Sequence, residues 1–539
     1  MVEPITGLPD PNSWFRPIPN RADPNGPTNR PTVVIDRAVR EEPIIERFRS
    51  VVARQPDAHC LLSQSRCLTY REVWLAVTAL AARIAAHTAP GQGVAILLKD
   101  ELNVALAQLA CLANGRVGLL LNPSHPEQRL AAMLSQAAPS MVVTDDDRRL
   151  PEIAGNPYIL RQIESPSAAV DFTTSPAAID TPSLVVYTSG STGIPKGFVR
   201  SQRQITALSD NSVQAFRIDP SDVALSLFSL TNGSGQSCLM PALLTGASMF
   251  TPPLARDGLS GILALLRTGT ITLLWVLPSV LRTLVRLPDA ARVLRSVRGV
   301  FLVSEPVSRA DLESWRQVLP ARCAVLLRYS MTEASGIASW FLPHDPPYPG
   351  PSLPIGYLTS HYEGAIVGPD GQAVALGEVG TLWLRGRVFT LGEWRNGRCE
   401  ASRTISDPDD STRRLLCTND SVRAGADGRL EFSGRADNMI KIRGNRVEPA
   451  EVEDALRRLP MIAEVAILPF AAGEAVGLTA YIVTTEGRSL DRTAIVADLA
   501  RMLPSYMIPS RFTFLPTLPR LVNGKLDLQQ LKRDQTATG

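Results

Sequence analysis

The sequence predicts an α/β fold. A large N-terminal domain would have mostly parallel sheets flanked by helices plus a β-rich subdomain. A small α+β C-terminal domain would follow. Three observations predict it. Short apolar runs alternate with helix-period segments through most of the chain, the pattern of parallel strands covered on both faces. Past residue 355 the texture turns β-rich, in GAIVGPDG, GEVGTLWLRG and GRLEFSGR. The last hundred or so residues mix strands with two helices. The expected divisions are an irregular extension over 1–40, a large domain over 41–435 and a small domain over 436–539.

Residues 1–40 are rich in Pro, Asn, Asp and Arg and lack periodicity, which predicts an irregular segment. EPIIERFRSVVARQP, 68–87 and 101–115 carry apolar residues at helical spacing, with Gly115 as a stop. Strands are predicted at 94–98, 117–123, 141–144, 184–188, 271–277, 299–303 and 324–329. Near the C-terminus, Pro449 is placed to open a helix and a second helix is expected near 491–503. EVAILP, LTAYIVTT and RFTFLP read as the strands around them.

The chain has 539 residues, 45% of them hydrophobic, ample for a core without disulfide or metal staples. A net charge of +3 gives no reason to expect a nucleic-acid partner. No run of 18 apolar residues predicts a membrane span, and the N-terminus does not resemble a signal peptide. Seven scattered cysteines without C-x-x-C spacing predict reduced thiols and a cytoplasmic protein. Of 55 basic residues only Lys99, Lys196, Lys441, Lys525 and Lys532 are lysine. Where arginine is the default cation, a retained lysine marks a place where arginine would not serve.

LVVYTSGSTGIPKG, residues 184–197, is the most informative stretch. A strand runs into Thr188, Ser189, Gly190, Ser191, Thr192 and Gly193, then Lys196. Close backbone N–H groups, hydroxyls and one cation suit phosphate oxygens. The spacing is not that of a Walker A loop, since Pro195 precedes the lysine and Gly197 follows it. The segment resembles the phosphate-binding signature of the adenylate-forming enzymes, which include acyl-CoA synthetases and the adenylation domains of nonribosomal peptide synthetases. LTYREV (68–73), YSMTEASG (329–336), GEVGTLWLRG (377–386), CTNDSV (417–422), GRADNMIKIRGNRVEPAEVE (434–453), LPSYMIP (503–509) and NGKLD (523–527) resemble further motifs in the same order.

The resemblance implies a two-step reaction. A carboxylate attacks the α-phosphorus of ATP to give an acyl-adenylate and pyrophosphate, and a thiol then displaces AMP. It implies Lys525 as the main catalytic cation, Thr332 at the α-phosphate and Glu333 as the Mg²⁺ ligand, a hard oxygen donor suited to that ion. It implies Tyr329 stacked on adenine, Ser304 and Glu305 in the adenine turn, and Asp420 with Arg435 on the ribose. Thr188 to Gly193 and Lys196 would hold the β- and γ-phosphates. Asp437 falls at the hinge on which the family's small domain moves. Lys441 and Gly444 would then face the entering thiol.

The acid pocket departs from relatives that activate amino acids. The stretch 226–247 has no acidic residue where they place the aspartate that pairs with an α-ammonium. Asn232 or Gly233 stands there, so an aryl, hydroxy or fatty acid is expected, because a buried ammonium without a counter-charge is costly. By spacing, Val276, Phe301, Val303, Gly336 and Ile337 complete a largely apolar pocket. Arg328 is the exception. Either it enters the pocket and binds a second acidic or carbonyl group, or it pairs with a structural carboxylate. Ser330, Met331, Asn419 and Ser304 replace residues usual in the family, at positions that bear on rate and nucleotide affinity.

Fourteen residues follow Lys525, too few for a carrier domain, so a thiol from a separate molecule is expected. The first reading is an adenylation enzyme that uses ATP and Mg²⁺ to load a small carboxylic acid onto the phosphopantetheine of a carrier protein. The second is an acyl- or aryl-CoA ligase with CoA as the thiol. A third, from another class, is a degenerate nucleotide-binding protein.

Overall fold

A computed structural model of the chain describes residues 15–19, 23, 26–27, 30–145, 158–161, 172–188, 195–251, 254–345, 353–401, 403–435, 440–472, 475–485, 491–520, 526 and 528–537. Among these residues two large sheets form the body. One has nine strands. At its centre Ala324–Tyr329, Gly299–Val303, Leu273–Val276, Val223–Ser226 and Ser248–Phe250 lie side by side, every neighbouring pair parallel. The other has eight described strands, with Pro182–Thr188, Val117–Leu120, Gly93–Leu97 and Met141–Thr144 as parallel neighbours. Lys196–Ser201 returns antiparallel to Pro182–Thr188. The predicted α/β class and buried strands are therefore present.

The strands are apolar throughout because both faces are covered. All residues of Gly299–Val303 are buried. Phe301 and Val303 join one core with residues of the helices Gln202–Phe216 and Gly233–Thr245, among them Phe216 and Leu239. Val300 and Leu302 face the opposite core with Leu281 and Trp315, on the helices Pro278–Val285 and Arg309–Val318.

The expected 68–87 helix starts at Tyr70, because Cys67–Thr69 pairs instead with His59–Leu62. Thr69 and Glu72 form a capping box at that start. Such a cap stabilises a helix by roughly 1 kcal/mol. The described part of the N-terminal segment is mostly irregular but anchored. Ile18 N donates to Gly364 O at 2.8 Å, and Arg30 bridges Asp219 and Asp222 at 2.7 and 2.8 Å.

The β-rich part contains Tyr362–Val367, Val379–Gly386, Arg414–Ala424 and Leu430–Arg435. The C-terminal part packs the helices Pro449–Arg457 and Arg492–Met502 with the sheet of Ile462–Ala472, Ala475–Thr484 and Arg511–Phe514. It has its own core, which includes Val452, Ile482 and Leu499. Pro449 opens its helix as the sequence predicts. A hairpin of Ile440–Ile442 and Asn445–Val447 precedes it. Ion pairs tie this part to the large body: Arg129 with Glu451, both buried, and Arg446 with Glu333. Among the described residues no helix is long and apolar enough to cross a membrane. None of the seven cysteines forms a disulfide among the described residues.

Candidate active site

The strands Pro182–Thr188 and Lys196–Ser201, which flank the glycine-rich segment, pair antiparallel. Thr188 and Lys196 are register partners at its base. Ser189, Gly190, Ser191, Thr192 and Gly193 lie outside the described residues, as do Asp437 and Lys525. Lys196 Nζ stands 3.9 Å from Glu393 Oε1. Desolvation, and then the like charge of Arg403, hold its ammonium below the usual lysine range.

Strand pairing brings Asp420 and Arg435 together as register partners, and the two form an ion pair. Tyr329, at the end of its strand, donates its phenol to the other Asp420 oxygen. Burial, and then the Asp420 charge, push the phenol pKa well above the usual value. The three expected nucleotide residues are thus assembled, with Tyr329 tied to the carboxylate. Thr418 Oγ1 fixes the turn by accepting from Asp420 N at 3.1 Å. Asn419 sits at φ 58°, a left-handed conformation that asparagine tolerates. Ser304 also has positive φ, 73°, which costs more for serine than for the glycine it replaces. Glu305 has a structural task. It accepts from Ser279 N at 2.8 Å and Ser279 Oγ at 3.0 Å, beside the start of the 278–285 helix.

Thr332 and Glu333 occupy the bend after Tyr329. Ser330, in place of a usual glycine, braces that bend by accepting from Gly336 N at 2.7 Å. Glu333 is buried, and Arg446 Nη1 reaches its Oε1 at 3.0 Å. Burial works to raise its pKa, but the Arg446 charge prevails and holds the carboxyl below the usual range. Arg446 also meets Glu448 at 3.0 Å. A carboxylate with hard oxygens would suit Mg²⁺ when Arg446 is withdrawn.

The hairpin carrying Lys441 and Gly444 faces this site. A Cβ on Gly444 would come within 2.7 Å of Leu277 Cδ2, and the glycine has φ 75°, so the close approach needs its missing side chain. Lys441 is within electrostatic reach of Asp420, Arg435, Arg446 and Glu333. Arg446 lies in the interdomain motif with no role implied for it there, and Arg403 lies in no motif. No spacing rule marks either one, because their partners arrive from distant segments.

The acid pocket is altered more than the nucleotide site. Asn232 Oδ1 accepts from Gly235 N at 3.0 Å and caps the 233–245 helix, so its oxygen is committed. Phe301, Val303 and Arg328 share one sheet face, but Val276 does not. Strand alternation turns Val276 into the opposite core and puts Trp275 against Phe301, with ring centroids 5.4 Å apart. Ile337 packs with Leu358 and Phe389 in a third cluster. Counting by motif spacing takes no account of the pleat, and Val276 and Ile337 fall in different clusters from Phe301 and Val303. Arg328 pairs with no carboxylate among the described residues. It donates to Ser212 Oγ at 3.1 Å and lies 4.6 Å from the Phe301 ring centre.

Thr188 and Lys196 at the base of the glycine-rich segment, Asp420 tied to Tyr329 and Arg435, and the buried Glu333 are among the expected site residues that the described structure displays. The chain belongs to the AMP-binding enzyme family, whose model matches residues 48–394, and the AMP-binding enzyme C-terminal domain matches residues 451–525. A linear gramicidin synthase from Brevibacillus parabrevis is 30% identical over 499 residues. That match spans 90% of this chain but only 6% of the synthase polypeptide. Among solved structures, an artificially fused adenylation–PCP di-domain from Klebsiella oxytoca aligns with a TM-score of 0.74 at 22% identity, covering 88% of this chain and 86% of the other. An o-succinylbenzoate CoA synthetase from Bacillus subtilis aligns with a TM-score of 0.75 at 22% identity, covering 91% and 98%.

Proposed function

We propose that the protein activates a small carboxylic acid with ATP and Mg²⁺ as an acyl-adenylate, releases pyrophosphate, and transfers the acyl group to a thiol. The observation that carries this is one linked cluster: Tyr329, Asp420 and Arg435, then Lys441, Glu333, Arg446 and Lys196, gathered from both large sheets, the β-rich part and the hairpin.

Asp420 accepts ribose hydroxyls, with Arg435 ion-paired to it. Thr188, Ser189, Gly190, Ser191, Thr192, Gly193 and Lys196 receive the polyphosphate, and Thr332 the α-phosphate. Glu333 would hold Mg²⁺, which supplies charge neutralisation between the phosphates. Lys525 approaches the substrate carboxylate and the α-phosphate, lowering the cost of bringing two anions together. For this half-reaction the hairpin must leave Glu333, with Asp437 absorbing the rotation of the 436–539 domain. The arrangement seen, with Arg446 on Glu333 and Gly444 against Leu277, suits the thiol half-reaction.

The acceptor is proposed to be the phosphopantetheine of a separate carrier protein; a carrier is supported by the shared fold of the adenylation–PCP di-domain. CoA is the second reading, supported by the shared fold of a CoA synthetase. The unbridged cysteines, four of them buried, support a reducing cytoplasmic setting. The test supplies ATP, Mg²⁺, a panel of acids and either CoA or a phosphopantetheinylated carrier, with mass detection of the thioester. Acylated carrier is expected. Acyl-CoA alone would select the second reading.

A further inference from the structure

We infer that the acid pocket is charge-inverted and takes a dicarboxylic acid without an α-ammonium, one carboxylate being adenylated and the other held by Arg328 with Asn211. This rests on the proposed adenylation.

Two buried guanidinium groups carry the argument. Arg328 is 3% exposed, and its Nε has no hydrogen-bond partner. Burial alone pulls its pKa down to about 9, with no acidic group opposing the shift. A buried cation without a counter-charge is expensive, so one retained on a pocket wall needs a compensating ligand. The Asn211 Nδ2 amide is also buried and unpartnered. Both lie beside Gly336, where Leu208 Cδ1 is the nearest atom, 3.2 Å from a Cβ placed there. A Cβ on Gly336, at φ 66°, would lie 3.6 Å from Asn211 Nδ2 and 3.9 Å from Arg328 Cδ. Trp275 Nε1, on the ring that stacks on Phe301, is another buried donor without a partner. Unsatisfied donors on one wall call for an acceptor, and an anionic acceptor also neutralises the guanidinium.

Arg200 supplies the second observation, and no sequence motif singles it out. It is 4% exposed with Nε unpartnered, and it makes no ion pair among the described residues. Its Nη2 would be 2.9 Å from a Cβ on Gly233, so the guanidinium lies where relatives that activate amino acids place an aspartate. Glu333 acts on it electrostatically but is paired to Arg446 in the arrangement seen and would hold Mg²⁺ during adenylation. An α-ammonium entering here would meet a cation in place of a carboxylate.

The test is acid-dependent exchange of labelled pyrophosphate into ATP by the full chain. The acids are aliphatic diacids of increasing length and aromatic diacids, each compared with its hemi-amide and with its α-amino derivative. The wild type should prefer the best diacid over its hemi-amide by about 30-fold in kcat/KM, as expected for a charged hydrogen bond. The α-amino derivative should be poorer than the plain diacid. Arg328→Met should reduce the preference to within about threefold, and Arg328→Lys should restore part of it. Ligand-free Arg328→Met should melt no lower than wild type, because a purely structural arginine would lose stability on removal. ATP binding and exchange with monoacids, without any diacid preference, would overturn the inference and leave adenylation standing. Folded, ATP-binding protein that exchanges with no acid would overturn both.

Discussion

Ser304 holds a left-handed backbone at φ 73° in the adenine turn. A non-glycine residue there costs about 1–2 kcal/mol, partly offset by its lower unfolded-state entropy. Ser304→Gly is therefore expected to stabilise the protein by up to about 1 kcal/mol, read as a higher midpoint in urea unfolding. An unchanged or lower midpoint would show that the serine side chain contributes something the turn needs. The clustering of the residues proposed for the nucleotide is legible in the sequence because motif order places them: Glu333, Tyr329, Asp420 and Arg435 need only the correct strand ends. The pocket is less legible. Motif spacing puts Val276 one residue out of phase with the pleat, and Arg200 becomes a pocket residue only through contact with Gly233, thirty-three positions on.

At the scale of elements, the 440–447 hairpin is held to the large body by Arg446 between Glu333 and Glu448. Breaking a buried pair by removing one partner costs roughly 3–5 kcal/mol. Here part of that is recovered when the hairpin moves and Glu333 meets water or Mg²⁺. Arg446→Ala should slow single-turnover transfer to the thiol at least tenfold while pyrophosphate exchange changes less than threefold, because the pair serves one half-reaction. Equal losses in both steps would place Arg446 in shared machinery. Apolar runs and breakers anticipate most of the strands and helices themselves. They do not anticipate the hairpin, because its two three-residue strands are too short to show a period.

At the scale of the molecule, the 124–127 loop and the 500–508 segment face each other across a cleft of about 390 Å³ lined by His125 and Tyr506. The neighbouring 127–137 helix meets the small domain through Arg129 and Glu451. Desolvation, and then the Arg129 charge, depress the His125 pKa to about 3 from its ordinary 6.5. Protonation is thus easier when the domains separate. The contribution of neutral His125 to docking is complete above pH 6.5 and is lost progressively as pH falls toward 3. Glu127, Arg129, Glu451 and Tyr506 are the other titratable groups there. A fluorescence donor–acceptor pair across the domains should report loosening from pH 7 to 5, weakened in His125→Asn. A flat response in wild type would show that docking does not depend on this histidine.

The most direct test of the central claim, ATP-dependent activation of a carboxylic acid, is pyrophosphate–ATP exchange over a broad panel of acids. At least one acid should support exchange in the wild type. Lys525→Ala should abolish it with the fold and AMP binding intact, and Glu333→Gln should reduce it with a raised Mg²⁺ requirement. Undiminished exchange in Lys525→Ala, or none with any acid in wild-type protein that binds ATP, would contradict this function.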